Sequence, residues 1–192
     1  MDNRIIFLDI DGVLNCEKSK SKCPSTGDPV GIDIDKIRRL KRIVDETGAE
    51  VVLISSWKDF YEVGAYKQEH RIGKYMNNKF RKFGIKIKDK TFGRGYVFRS
   101  KGILDWLKTH PEVTNFVILD DEEFFGYDQP PLKDYVIHTF WKGNGLTEAS
   151  ANMAIKMLKG EAAGAYSDTE DFAKAISWSP HEHYFGFLNK VR

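Results

Sequence analysis

Three short apolar runs, far apart in the chain, each stop abruptly on acids or hydroxyls. Ile5-Ile6-Phe7-Leu8 ends at Asp9-Ile10-Asp11-Gly12, Val51-Val52-Leu53-Ile54 at Ser55-Ser56, and Phe116-Val117-Ile118-Leu119 at Asp120-Asp121. Between them lie stretches with helical apolar spacing. Apolar strands alternating with amphipathic helices are the signature of a parallel sheet covered on both faces. All strands of such a sheet point the same way, so their polar tips gather along one edge, where open α/β folds place their ligands. One site can therefore be assembled from segments more than a hundred residues apart.

The rest of the chain fits this frame. Ile34, Ile37, Leu40, Ile43 and Val44 form a helical stripe ending at Gly48, and Glu50 to Ile54 reads as the second strand. A mostly polar helical region is expected up to Gly84, then an edge strand at Ile85 to Lys88, marked by its alternating lysines. A helix from about Ser100 to Lys108 leads into the strand Asn115 to Leu119, and Tyr135 to His138 is a further short strand. Thr147 caps an amphipathic helix running to about Lys159, and Ser167 with Glu170 has the spacing of a capping box. With 192 residues and no repeat or linker, the expectation is one domain over 1–192, its core about 4–159 and an aromatic-rich extension over 160–192.

Composition narrows the setting. No run reaches the roughly 18 to 20 apolar residues that a membrane helix needs, and the start Met1-Asp2-Asn3-Arg4 is unlike an export signal. Cys16 and Cys23 have neither metal-site spacing nor a neighbouring His, which points to a reducing, cytoplasmic compartment. Net charge is +2, but residues 67–101 hold 12 Lys/Arg against 2 Asp/Glu, a local +10 between segments of −2 and −6. Such clustering suits an anionic partner, although a solvated lysine-rich face accounts for it as well.

Crowding Asp9, Asp11, Asp120 and Asp121 at one sheet edge would be strongly repulsive without a cation. A hard, oxygen-seeking divalent ion, Mg²⁺ first among them, resolves the conflict. The glycine of Asp9-Ile10-Asp11-Gly12 allows the chain to turn sharply while two carboxylates face the same pocket.

On these residues the sequence resembles the haloacid dehalogenase (HAD) superfamily of phosphohydrolases. Phe7 to Leu14 is similar to its first motif, Ser55 to the second, Lys101 to the cation of the third and Asp120-Asp121 to the fourth. More narrowly, Ser55-Ser56-Trp57-Lys58, the Ile118-Leu119-Asp120-Asp121 strand end and Gly145-Leu146-Thr147 resemble the stand-alone HAD group associated with RNA-repair proteins. The resemblance implies a three-layer Rossmann-like fold with a mostly parallel sheet and little or no cap. It further implies Asp9 as nucleophile and Asp11 as the acid and base that serves the leaving group and then water. Mg²⁺ would be held by Asp9, the Asp11 backbone carbonyl and Asp121, with Asp120 in support or as a further ligand. Ser55, the loop amides around Asp11 and Gly12, and Lys101 would bind the phosphoryl oxygens. Ser56 is the alternative to Ser55. Arg99 is the alternative to Lys101, which the following glycine and helical apolar run favour.

Other features receive plainer readings. The pair His181 and His183 has poor ligand spacing, Lys142-Gly143-Asn144-Gly145 reads as a turn, and Asp128 reads as a loop acid. Trp57, Phe60, Tyr61 and Tyr66 could stack on bases, but core or lid packing is the commoner use of such rings. Asn15 to Ile32 is too short for a folded cap, and Lys58 to Arg99 must also supply a helix and the edge strand, so the site is expected to be open. An open site beside a basic segment suits a phosphate on a larger molecule, here a phosphorylated polynucleotide end. The alternatives are phosphatase action on a small metabolite or nucleotide, a phospho-acceptor signalling domain, a metal-dependent nuclease and a non-catalytic nucleic-acid-binding module.

Overall fold

The computed structural model describes residues 3–23, 30–93, 99–123, 125–168 and 170. The elements run β1 (Asn3–Leu8), α1 (Ile34–Thr47), β2 (Glu50–Leu53), α2 (Arg71–Lys82), β3 (Ile87–Lys90), α3 (Arg99–Lys108), β4 (Val113–Asp120), β5 (Val136–His138), α4 (Glu148–Leu158) and β6 (Tyr166–Ser167). Short 3-10 turns occupy Ser56–Phe60 and Lys133–Tyr135. The six strands form one sheet in the order β3-β2-β1-β4-β5-β6, and every neighbouring pair is parallel. From β1 the chain first builds outward through β2 to β3, then returns to the other side of β1 with β4. The switch point thus falls between β1 and β4, and the crevice beyond their carboxyl ends is where this architecture binds ligands.

The two-residue period of β1 explains the layers. Ile6 and Leu8 face one side and pack with Ile37, Leu40 and Ile43 of α1, Met76 and Phe80 of α2, and Ala154 and Leu158 of α4. Ile5 and Phe7 face the other and pack with Ile103 and Trp106 of α3, the Trp106 ring meeting Phe7 edge-on at 5.5 Å. Each fully buried aliphatic or aromatic side chain of this kind contributes roughly 1.5–3 kcal/mol. Burial on both faces is why these strands read as unbroken apolar runs.

Caps place the helices. Gly48 adopts φ +68° and its N–H donates to Val44 O at 2.8 Å, closing α1 in the left-handed conformation that glycine tolerates. Thr147 accepts from the Ser150 N–H and opens α4 as expected.

Three expectations shift. The polar region before Gly84 is helical only in its second half. A 3-10 turn comes first, and then Gly64 at φ +75° and the buried Gln68, which bonds both the N–H and the C=O of Glu62, shape an irregular loop. The edge strand lies two residues later than Ile85 to Lys88, because Ile85 closes α2 by donating to Phe80 O and Ile87 is the residue in register with Val51. Ser167 pairs with His138 in a sixth strand, and Asp168 rather than Ser167 accepts from the Glu170 N–H. The rest of the extension, with His181 and His183, lies outside the described residues. Cys16 and Cys23 are buried and form no disulfide with each other, and among the described residues no helix is long and apolar enough to cross a membrane.

Candidate active site

Asp9 follows β1, and Asp120 ends β4 with Asp121 next, so the switch point brings three carboxylates together. One oxygen of each lies within 4.8 Å of the others. The parallel ladder fixes this meeting: Leu8 is in register with Leu119, and the Asp9 N–H donates to Leu119 O at 2.9 Å. Asp9 is 4 % exposed and Asp120 fully buried.

A single guanidinium nitrogen ties two of the acids. Arg99 Nη1 donates to Asp9 Oδ2 at 2.8 Å and to Asp120 Oδ2 at 2.7 Å. Charge-assisted bonds in a buried setting are strong and directional, so this clamp orients Asp9. The neighbouring carboxylates raise the Arg99 pKa against the opposing effect of burial. Asp120 also accepts from the Tyr127 hydroxyl at 2.9 Å and from the Glu122 N–H at 3.1 Å. Its oxygens are therefore engaged by protein donors. Burial first, then the Asp9 charge, nevertheless push its pKa up to about 7.

Asp121 is different. No hydrogen bond or ion pair reaches its carboxylate among the described residues. Burial and the charges of Asp9, Asp120, Glu122 and Asp11 push its pKa up to about 9. It packs against the first-motif loop at Gly12, where φ is +67° and an added Cβ would lie 2.0 Å from Asp121 Oδ2. An acid left without donors beside two others is a fit for a divalent cation, whose charge would relieve the repulsion. Asp9 and Asp121 would hold it, with Asp120 behind them.

Asp11 stands apart from that trio. Its Oδ1 accepts from Asn15 Nδ2 and its Oδ2 from the Trp57 indole, both at 2.9 Å. Burial raises its pKa, and the two donors only partly offset the effect. A carboxyl held in place yet biased toward its protonated form is equipped to donate a proton. Asn15 also accepts from the Gly12 N–H at 2.9 Å, so the Gly12 amide expected to meet a phosphoryl oxygen is already occupied. Thr139, after β5, fastens the two acidic loops: its N–H donates to Asp120 O and its hydroxyl to Gly12 O.

Ser55 follows β2 at the same sheet edge as Asp9, the Ile54 N–H donating to Leu8 O. Its buried hydroxyl accepts from the Trp57 N–H at 3.3 Å, leaving its own proton to donate. Ser56 begins the 3-10 turn, half-buried, and makes no hydrogen bond to the acids. Lys101 is not brought to the cluster. Its side chain is 69 % exposed and pairs with Asp105 one turn on, while Arg99 holds the inward position. Two residues of a helix lie about 200° apart, so only one of the pair can face the sheet. Arg99 shares its face with buried Ile103 and Trp106 at i+4 and i+7, a spacing visible in the sequence that would have singled it out.

Asn15, Thr139 and Tyr127 had no sequence signal of their own, and Trp57 had one only as an aromatic ring and as a member of the Ser55-Ser56-Trp57-Lys58 string. Of the other rings, Tyr61 is buried, Phe60 stacks on His70 at 4.4 Å and Tyr66 lies beneath Arg81. Asp128 accepts from the exposed side chain of Gln129 and is not one of the clustered acids among the described residues. The Lys142 to Gly145 stretch is a turn, as expected, docked on the first loop through Leu146 N–H to Val13 O.

A carboxylate trio at the switch point of a parallel sheet, with an arginine bridging two of its members, fits a HAD-type domain. The chain belongs to the family described as the HAD domain in Swiss Army Knife RNA repair proteins, whose model matches residues 5–151. No curated protein and no solved structure gave a match.

Proposed function

We propose that this domain is a Mg²⁺-dependent phosphomonoesterase that works through an aspartyl-phosphate and takes a phosphate at the end of a polynucleotide. The observation that carries the reading is the division of labour among the acids: Asp9 is clamped by Arg99, Asp121 lacks donors, and Asp11 is held apart by Asn15 and Trp57.

Asp9 Oδ attacks phosphorus as the bond to the leaving oxygen breaks, and Asp11 gives that oxygen its proton. Asp11 then takes a proton from water, which attacks the phosphoryl group, breaks the acyl-phosphate bond and restores Asp9. Ser55 and the Asp11 amide, which has no protein acceptor among the described residues, would bind phosphoryl oxygens. A bound Mg²⁺ would supply charge neutralisation between the carboxylates and the incoming anion.

The polynucleotide end is supported by three observations. Arg71, Lys74, Arg81, Lys82 and Lys86 are exposed in and after α2. Phe92 and Phe125 are 94 % and 90 % exposed. Both adjoin the first turn of α3, Phe125 O accepting from Ser100 Oγ and Phe92 O lying beside Gly102. Exposed rings close to a phosphate site, on a domain that also exposes a run of cations, suit single-stranded nucleic acid, and the family's description names RNA repair. Arg99 already pairs with Asp9 and Asp120, two of the acids a second metal ion of a nuclease would call on.

Phosphate release should be measured with Mg²⁺ on an aryl phosphate, mononucleotides, and 3′- and 5′-phosphorylated RNA and DNA, with Asp9→Asn as control. Metal-dependent release favouring one polynucleotide end is expected. Full activity of Asp9→Asn would exclude the covalent route, and preference for mononucleotides would exclude the polynucleotide end.

A further inference from the structure

Lys58 belongs to none of the roles assigned above. It sits in the 3-10 turn after β2, three residues beyond Ser55, and is 6 % exposed. Its ammonium donates to one acceptor, the neutral Thr91 hydroxyl at 3.0 Å, and no carboxylate pairs with it among the described residues. An ammonium group carries three donors, and burying it without a counter-charge is costly. Burial and the Arg99 guanidinium hold its pKa below the ordinary lysine value, and Lys90 adds to that effect, while Asp59 and Asp9 oppose it. The Lys58 ammonium therefore lies within the electrostatic reach of both the proposed nucleophile and its clamp.

The turn that carries Lys58 is itself fixed. The Lys58 N–H donates to Ser55 O at 3.0 Å, and Lys90 Nζ donates to the carbonyls of Lys58 at 2.9 Å and Tyr61 at 2.7 Å. The other two cations near the site have their charge directed elsewhere, Arg99 onto Asp9 and Asp120 and Lys101 onto Asp105 at the surface. A pre-positioned cation without an ion-paired anion, within electrostatic reach of the acid that would receive a phosphate, has an evident counter-ion in the substrate.

We propose that Lys58 is a phosphate-binding residue, contributing a fixed positive charge that holds a non-bridging oxygen of the substrate's phosphoryl group against Asp9. The proposal rests on the phosphomonoester reading and extends it to a residue outside the four HAD motifs. A purely structural lysine, present to tie the turn to Thr91, would give the opposite sign in stability. Removing a structural tie lowers the melting temperature, whereas removing an unpaired buried charge in favour of an apolar chain of similar length leaves it unchanged or raises it.

The test compares wild type, Lys58→Met, Lys58→Arg and Thr91→Val by thermal unfolding in chelator and by calorimetric titration with inorganic phosphate in Mg²⁺. Lys58→Met should melt at or above wild type, keep the Mg²⁺-induced rise in melting temperature, and bind phosphate about tenfold or more weakly, the loss of one charge-assisted hydrogen bond. Lys58→Arg should recover part of the affinity. Thr91→Val, which keeps the ammonium, should stay within about threefold of wild type. Phosphate binding by Lys58→Met within about twofold of wild type would overturn the proposal, as would a fall in its melting temperature with affinity unchanged per folded molecule. If wild type binds phosphate through Lys58 but hydrolyses no phosphomonoester, the catalytic reading fails and this one stands. If wild type binds no phosphate at millimolar concentration, this one fails.

Discussion

Replacing Asp121 with Asn should stabilise the metal-free protein and abolish its response to Mg²⁺. The Asp121 carboxyl is pushed up from an ordinary 3.8 to about 9 by burial and by four neighbouring acids. A carboxyl whose pKa is raised on folding costs nothing at pH values where it is protonated in both states. The cost begins near the unfolded pKa, grows with pH, and levels off only above the folded one. At pH 7 the linkage has an upper bound of about 4 kcal/mol. The repulsion is shared with Asp9 and Asp120, so a gain of about 2 kcal/mol is the reasonable expectation, or about 4–8 °C in melting temperature for a chain of this size. The assay is thermal unfolding in chelator from pH 5 to 9, repeated with increasing Mg²⁺. In chelator the variant should exceed wild type by a margin that widens with pH. With Mg²⁺ wild type should gain stability by mass action while the variant stays flat. A variant that melts below wild type at pH 8 in chelator, or that keeps the Mg²⁺-induced rise, would refute the assignment of Asp121 to the cation.

Two further outcomes follow from the hydrogen bonds. Trp57→Phe removes one of the two donors that lower the Asp11 pKa, so the acid should stay protonated to higher pH and the alkaline limb of kcat/KM should move up. No movement of that limb would show that Asp11 is not the titrating acid. Arg99→Met should leave Asp9 and Asp120 unclamped, destabilise the fold by about 3–5 kcal/mol and abolish phosphate release. Lys101→Met should change stability by less than about 0.5 kcal/mol, having lost only an exposed helix pair, and equal losses in the two variants would contradict the placement of α3.

The acids Asp9, Asp120 and Asp121 were legible in the chain because a parallel sheet turns a one-dimensional pattern into a place. An apolar run buried on both faces must be a central strand, and every central strand delivers its last residue to the same edge. The helix ends at Gly48 and Thr147 were legible for a similar reason, since caps depend on residues only a few positions away. The choice between Arg99 and Lys101 depended instead on the rotation of α3, which burial of Ile103 and Trp106 beneath the sheet settles. Trp57 and Asp11 are 46 residues apart, and Arg99 and Asp9 are 90 apart. Such pairs are invisible to local pattern because nothing in propensity or spacing links them. They form when two elements that pack for apolar reasons bring a donor and a carboxylate within hydrogen-bond distance. The chain alone therefore marked the three acids that meet, but grouped with them Asp11, which Asn15 and Trp57 hold apart. Packing of the layers determined which side chains hold those acids and bias their protonation, because orientation and burial are properties of neighbours that sequence order does not record.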